Sequence, residues 1–237
     1  MLSLLFDGAA QPDASSIHRL AASGEFAVSH DPPPDSDGNW LELLVNGLTF
    51  DLKGLAPGNA EIHELHANLF DLPPGFNAFQ YAALTLTPGP HLAAGAAMMP
   101  VVRSQMWLAM QLCELPGIVA VGWLPARTLS GPGHFRRSVT RWLEGGAFPA
   151  LGLTALLKAP DGGMQSEGLA FFTGQELRLE PEIAGRGAGS AQLALRLIHE
   201  LVERGPIERP EGATGPDGAA LRLDPSPNRR FVRVSAA

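Results

Sequence analysis

A single cysteine, Cys113, excludes a disulfide framework, because it has no second thiol to pair with. Set in an apolar helical stretch, it reads as a buried packing thiol and not as a nucleophile. Lysine is nearly missing: apart from Lys53 and Lys158 every basic side chain is an arginine, a bias of composition from which no function follows. With 17 basic against 24 acidic residues the net charge is −7, so the chain offers no general basic face for phosphates, and nucleic acid is not expected as a partner. Long apolar runs are missing as well. The richest region, Leu92 to Leu115, is broken by Pro100, Arg103, Gln105 and Gln111, short of the roughly 20 consecutive apolar residues of a membrane span. The opening residues, Met1 to Asp13, have neither the basic start nor the apolar run of a secretory leader, so a cytoplasmic location is expected. There is no Gly-x-Ser-x-Gly elbow, and Ser130 in Leu-Ser-Gly-Pro-Gly reads as a loop residue.

What is present suffices for a full core: 45% of the 237 residues are hydrophobic, enough for one large or two small domains. The first part reads as a strand (Leu2 to Phe6), a short helix (Asp13 to Ala22) and a strand (Phe26 to Ser29). A hairpin of Trp40 to Val45 and Leu48 to Leu52 follows. Its turn is Asn46-Gly47, the strongest local hairpin signal, since both central residues of a type I′ turn need positive φ. Asp31 to Gly38, rich in Pro and Asp, cannot pair as a strand and reads as an exposed loop. Leu72-Pro73-Pro74-Gly75 is the best internal punctuation. It suggests an N-terminal subdomain, residues 1–74, and a second α+β domain, residues 75–237, with one compact unit as the alternative.

Beyond it the pattern predicts a strand (Phe79 to Thr87), a helix from Pro100 to Leu115, a strand (Ile118 to Trp123) and a helix from Pro132 to Glu144. Pro100 suits a first helical turn, where a missing N–H is harmless. Val102, Met106, Ala109, Met110 and Cys113 form one apolar stripe of that helix, and Trp107, Leu108 and Leu112 a second, so it should be wrapped on most sides. Strands are expected at Ala150 to Leu157, Gly168 to Phe172 and Leu177 to Leu179. A helix from Ser190 to Arg204, with Leu193, Leu197, Ile198, Leu201 and Val202 as its core-facing stripe and Gly205 as its stop, precedes two short strands, Ala220 to Leu223 and Phe231 to Val234. Hairpins interleaved with helices imply an α+β fold, with mixed or antiparallel sheets packed against about four helices.

The stretch Phe148 to Pro181 joins two apolar runs through Asp161-Gly-Gly163 and then turns at Gly174-Gln-Glu176. Its Thr-containing strand, followed by Gly168-Leu, Phe171-Phe172 and Glu176-Leu177, resembles the bacterial domain-of-unknown-function family 4261. The resemblance runs in chain order from about residue 79 to 234. It implies an α+β fold and supplies no catalytic residues. The tail departs from the family's Gly-Pro…Asp-Gly-Asp-Thr pattern, reading Glu211-Gly-Ala-Thr-Gly-Pro-Asp-Gly218 here.

Four groups of residues could carry chemistry. His63 and His66, three apart, would share a helix face and could bind a metal if Glu61 or Asp71 supplied a third ligand; as polar surface histidines beside a Pro-rich segment they need no metal, and none is expected. Gly185-Arg-Gly-Ala-Gly-Ser190 runs into a helix like a phosphate cradle, placing Arg186, Gly187, Gly189 and Ser190 around an anion. It also resembles, at Arg186, Gly189 and Ala191, the Arg-x-x-Gly-x-Ala pyrophosphate loop of acetyl-CoA-dependent N-acetyltransferases. A flexible, glycine-rich start to a helix explains the same residues without a ligand. Arg136, Arg137 and Arg141 share a helix and form a basic patch, either a solvated face or a docking site for an acidic partner. Of Glu167, Glu176 and Glu180, Glu176 stands out at a corner between apolar segments, where a carboxylate commonly accepts backbone N–H bonds. With few titratable groups in the apolar segments, the expectation is a non-catalytic binding or protein-interaction module, monomeric or homodimeric and without a cofactor. The alternative is an enzyme or regulator binding a phosphate-bearing or acyl-CoA-type small molecule at Gly185 to Ser190.

Overall fold

The computed structural model describes residues 1–33, 39–58, 60, 68–185, 187–216 and 218–237. Its contacts divide the chain into two units, Met1–Gly146 and Ala147–Ala237. The first carries β1 (Leu2–Phe6), α1 (Ala14–Ala21), β2 (Ala27–His30), β3 (Trp40–Val45), β4 (Leu48–Lys53), β5 (Asn68–Phe70) and β6 (Ala82–Pro88), then α2 (Met99–Leu112), β7 (Ile118–Trp123), β8 (Thr128–Ser130) and α3 (Pro132–Leu143). Its strands form a mixed sheet in the order β2-β3-β4-β6-β1-β7-β8-β5, antiparallel except for the β5–β8 pair.

β1 is buried along its whole length because it lies mid-sheet, between β6 and β7. Leu4 stands opposite Leu84 and Val121, and Leu5 opposite Ala83 and Ala120. Alternation sends these two rows to opposite faces. The Leu5 row packs with Ala78 and Leu129 and, at its margin, Leu72, Phe76 and Tyr81. α2 packs against β4 and β6, and α3 against β7 and α2. Asn46 and Gly47 take φ of 52° and 75°, so the β3–β4 turn has the two left-handed residues its sequence announces. Asp13 caps α1 by accepting the Ser16 N–H at 2.8 Å.

From Val101 to Cys113 no residue of α2 or its cap is exposed, as the two apolar stripes require. Buried polar groups on it are matched: Gln105 donates to the Leu86 carbonyl at 2.8 Å, and Arg103 lies over the Trp142 ring and donates to the Leu143 carbonyl at 2.9 Å, closing the end of α3. Burial pushes the Cys113 thiol up from 9.0 to about 12. In that window the native thiol keeps a proton that the unfolded chain has released. Stability present below pH 9 is therefore lost as pH rises, by about 1.4 kcal/mol per pH unit. Urea midpoints between pH 9 and 11 should fall more steeply for the wild-type protein than for Cys113→Ala; parallel slopes would refute the burial argument.

Leu72-Pro73-Pro74-Gly75 lies inside the first unit. β1 and β4, which precede it, pair with β6 and β7, which follow it, and the division between units falls instead after Gly146. The Pro-Gly cluster marks a surface turn whose Leu72 is packed against the sheet. Of the Asp31 to Gly38 loop, residues 34–38 lie outside the described residues.

The second unit comprises α4 (Ala150–Leu153), β9 (Ala155–Lys158), β10 (Met164–Glu167), α5 (Ala170–Thr173), β11 (Glu176–Leu179), α6 (Pro181–Ala184), α7 (Ala188–Arg204), β12 (Glu211–Thr214), β13 (Ala220–Pro225) and β14 (Phe231–Ala236). The strand order is β12-β13-β14-β11-β10-β9, with β11 and β14 parallel. α7 buries Leu193, Leu197, Ile198 and Leu201 of the stripe read from its periodicity, together with Ala194, while Val202 is half-buried. With two mixed sheets, and four helices of eight or more residues among the described residues, the protein is of the α+β class.

Two expected strands are corrected. Ala150 to Leu157 is a strand only from Ala155, because Ala150–Leu153 forms a helical turn broken at Leu151 and Gly152. Gly168 to Phe172 is not a strand: Ala170–Thr173 coils into a turn of helix, and the partner of β9 is Met164–Glu167. A short apolar run fits either period, and hydrogen bonds from residues outside the run decided this one.

Candidate functional site

The corner at Glu176 shows how the second sheet is held. Its carboxylate accepts the backbone N–H groups of Gly168 at 2.9 Å and of Leu169 and Ala170 at 3.1 Å each. It also takes the Ser166 hydroxyl at 2.5 Å, and that hydroxyl accepts the Leu177 N–H at 2.8 Å. One side chain thus caps α5 and ties β10 to β11. With four donors on it, the Glu176 carboxylate is a structural acceptor and not a free base. Next to it Gln175, 4% exposed, spans to Ile207 with both ends of its amide, donating to the carbonyl at 3.1 Å and accepting the N–H at 2.8 Å.

Glu180 is committed elsewhere, accepting the Arg233 Nε at 2.6 Å with Arg178 Nε at 3.7 Å. Arg178 also pairs with Asp161, whose carboxyl is held below its ordinary value first by the Gly163 N–H and then by that arginine. Glu176 and Glu180 therefore belong to separate bonding groups.

The two free edges of this sheet differ. In the β12–β13 pair Gly215 donates to Ala219, which fixes the alternation so that Thr214 points its carbonyl away from β13. Arg196 of α7 donates to that carbonyl at 2.5 Å, and Arg204 pairs with Glu211, so α7 closes the edge. In the β9–β10 pair Ala159 donates to Gly163, which turns the N–H and C=O of Leu156 and Lys158 outward. Among the described residues nothing pairs with them. Leu157 on this strand is 36% exposed, and Leu151, in the turn before it, 40%. This open edge was not foreseen, because the sequence extended the strand back to Ala150 and left its place in the sheet undetermined. The only signal was a pair of leucines next to a charged residue, Leu156-Leu157-Lys158.

The glycine-rich loop is only partly described: Arg186 lies outside the described residues. Gly187 precedes α7, and Gly189 and Ser190 sit in its first turn. Ser190 is bonded within the fold. Its hydroxyl is 2% exposed and donates to the Ile183 carbonyl at 2.7 Å, pinning α6 to α7. Beside it is a cavity of about 170 Å³ lined by Ile183, Gly189, Ser190, Leu193, Pro216 and Leu221 among others, with a predominantly apolar wall.

On α3, Phe135, Val139 and Trp142 are buried, while Arg136, Arg137 and Arg141 are exposed. Arg136 pairs with Glu114, and Arg137 with Asp71 at 3.4 Å, so much of the patch is neutralised within its own unit. His134 stacks on Phe70 with ring centroids 5.9 Å apart. His63, His66 and Glu61 lie outside the described residues, and Asp71 faces Arg137. Among the described residues no group of three or more His, Cys, Asp or Glu stands where it could hold a metal ion, and no helix is long and apolar enough to cross a membrane. Compared with family models, with curated proteins and with solved structures, the chain finds no match.

Proposed function

We propose that this protein is a non-catalytic binding module of the bacterial cytoplasm that engages a protein partner by accepting an extended segment of it beside β9. The open edge carries the reading. Leu156 and Lys158 each offer an outward donor and acceptor, so an added strand would extend the sheet with main-chain hydrogen bonds. Leu151 and Leu157 give apolar contact on its flank, and Lys158 favours an acidic residue opposite it. The Glu176 corner supports the reading by fixing β10, the strand against which β9 is presented. The net charge of −7 favours a protein over nucleic acid as partner. The resemblance of residues 79–234 to family 4261 supplies no chemistry to this role.

Leu157→Asp tests it, since the residue stands on the edge strand with its side chain in part open to solvent. Tagged wild-type and variant proteins, recovered from lysate of the source cells, are compared by native mass spectrometry, and the complex by amide hydrogen exchange. The expected result is a stoichiometric partner that slows exchange at Leu156 and Lys158 and binds the variant at least about tenfold more weakly. A partner held equally by the variant overturns the reading, as does a homodimer broken by it, which would make the edge a self-association surface.

A further inference from the structure

The hollow at the start of α7 is separate from the β9 edge and has its own chemistry. Ile183, Leu193, Pro216 and Leu221 give it an apolar wall. Ser190, its one hydroxyl among the described lining, is already spent on the Ile183 carbonyl. A phosphate or carboxylate placed inside would leave water and find no donor among these side chains. An apolar group would lose nothing. The volume, about 170 Å³, sets the size: an apolar cavity of about 150 Å³ takes benzene, so about six carbon atoms fit. Gly189 is exposed at the lining, and a Cβ built on it would meet nothing within 4 Å, so a larger side chain there has open space to enter.

We propose that this hollow binds a short alkyl or acyl chain of about four to six carbons, the chain's polar end remaining in solvent. The ligand class differs from the anion that the glycine-rich loop suggests: the helix start contributes a glycine whose missing side chain leaves space, and no phosphate cradle is required.

The test uses the whole chain with n-hexanol as probe, followed by methyl NMR. The Ile183, Leu193 and Leu221 methyls should shift saturably with n-hexanol and not with inorganic phosphate. Gly189→Leu should fill the hollow, melt no lower than wild type and abolish the shifts. Gly189→Ala, a smaller change that keeps the fold should leucine not be tolerated, should weaken n-hexanol severalfold while retaining n-butanol. Non-saturating shifts in the wild type, shifts produced by phosphate in place of n-hexanol, or n-hexanol binding unchanged in both variants would overturn the proposal. Leu157→Asp should leave n-hexanol binding intact, so the two sites can fail separately.

Discussion

Glu176→Ala is expected to destabilise the second unit by about 3 kcal/mol or more, because three amides and a hydroxyl lose one charged acceptor together. The donors cannot all turn to water: Ser166 and Leu169 are both 0% exposed. A loss of this size is a large share of the stability of an ordinary domain. Glu176→Gln should fall between wild type and alanine, since its carbonyl can serve the amides while its NH₂ confronts donors. Ser166→Ala should cost less, leaving chiefly the Leu177 N–H without its acceptor. Both tryptophan and tyrosine are missing from residues 147–237, so the measurement is amide exchange in β10 and β11 under urea. If Glu176→Ala exchanged there at the wild-type rate, the corner would not be holding the sheet.

The same corner shows what the sequence reveals and what it hides. Asn46-Gly47, Pro100 and the Leu193-Leu197-Ile198-Leu201 stripe are legible because each is a local rule: a turn needing positive φ, a tolerated proline, a helical period. Glu176 is legible as a polar residue at a bend. Its effect on the preceding residues is not, since the carboxylate gathers the amides of Gly168 to Ala170 into a turn and so overrides an apolar run that reads as a strand. Strands such as β5, β8 and β12 are hidden for a related reason. They are three or four residues long and exist because a neighbour supplies hydrogen bonds, which no period within Asn68–Phe70, Thr128–Ser130 or Glu211–Thr214 announces. The open β9 edge belongs to the same class. Whether a strand lies inside or at the end of a sheet is decided by strand order, here β12-β13-β14-β11-β10-β9, and order is a long-range property.

Gly117 shows such a long-range demand acting on one residue. It sits between α2 and β7 at φ 79°, and its carbonyl accepts the Asp7 N–H at 2.9 Å, which draws the segment after β1 against the start of β7. A Cβ at Gly117 would meet the Ala10 Cβ far inside van der Waals contact. Gly117→Ala therefore meets two penalties: about 1–2 kcal/mol for a side chain in the left-handed region, and about 1–3 kcal/mol for the overpacked contact. Together they should lower the stability of the first unit by about 2–5 kcal/mol. The two parts can be separated, because Ala10→Gly removes the obstacle and leaves the backbone conformation unchanged. The double variant Ala10→Gly with Gly117→Ala should recover the packing share and keep the conformational one, giving a coupling of about 1–3 kcal/mol in a double-mutant cycle. All four tryptophans, Trp40, Trp107, Trp123 and Trp142, lie in this unit, so urea unfolding followed by tryptophan fluorescence reads it directly. Additive effects of the two substitutions would show that the Ala10 contact does not press on residue 117, and the loss would then be backbone strain alone.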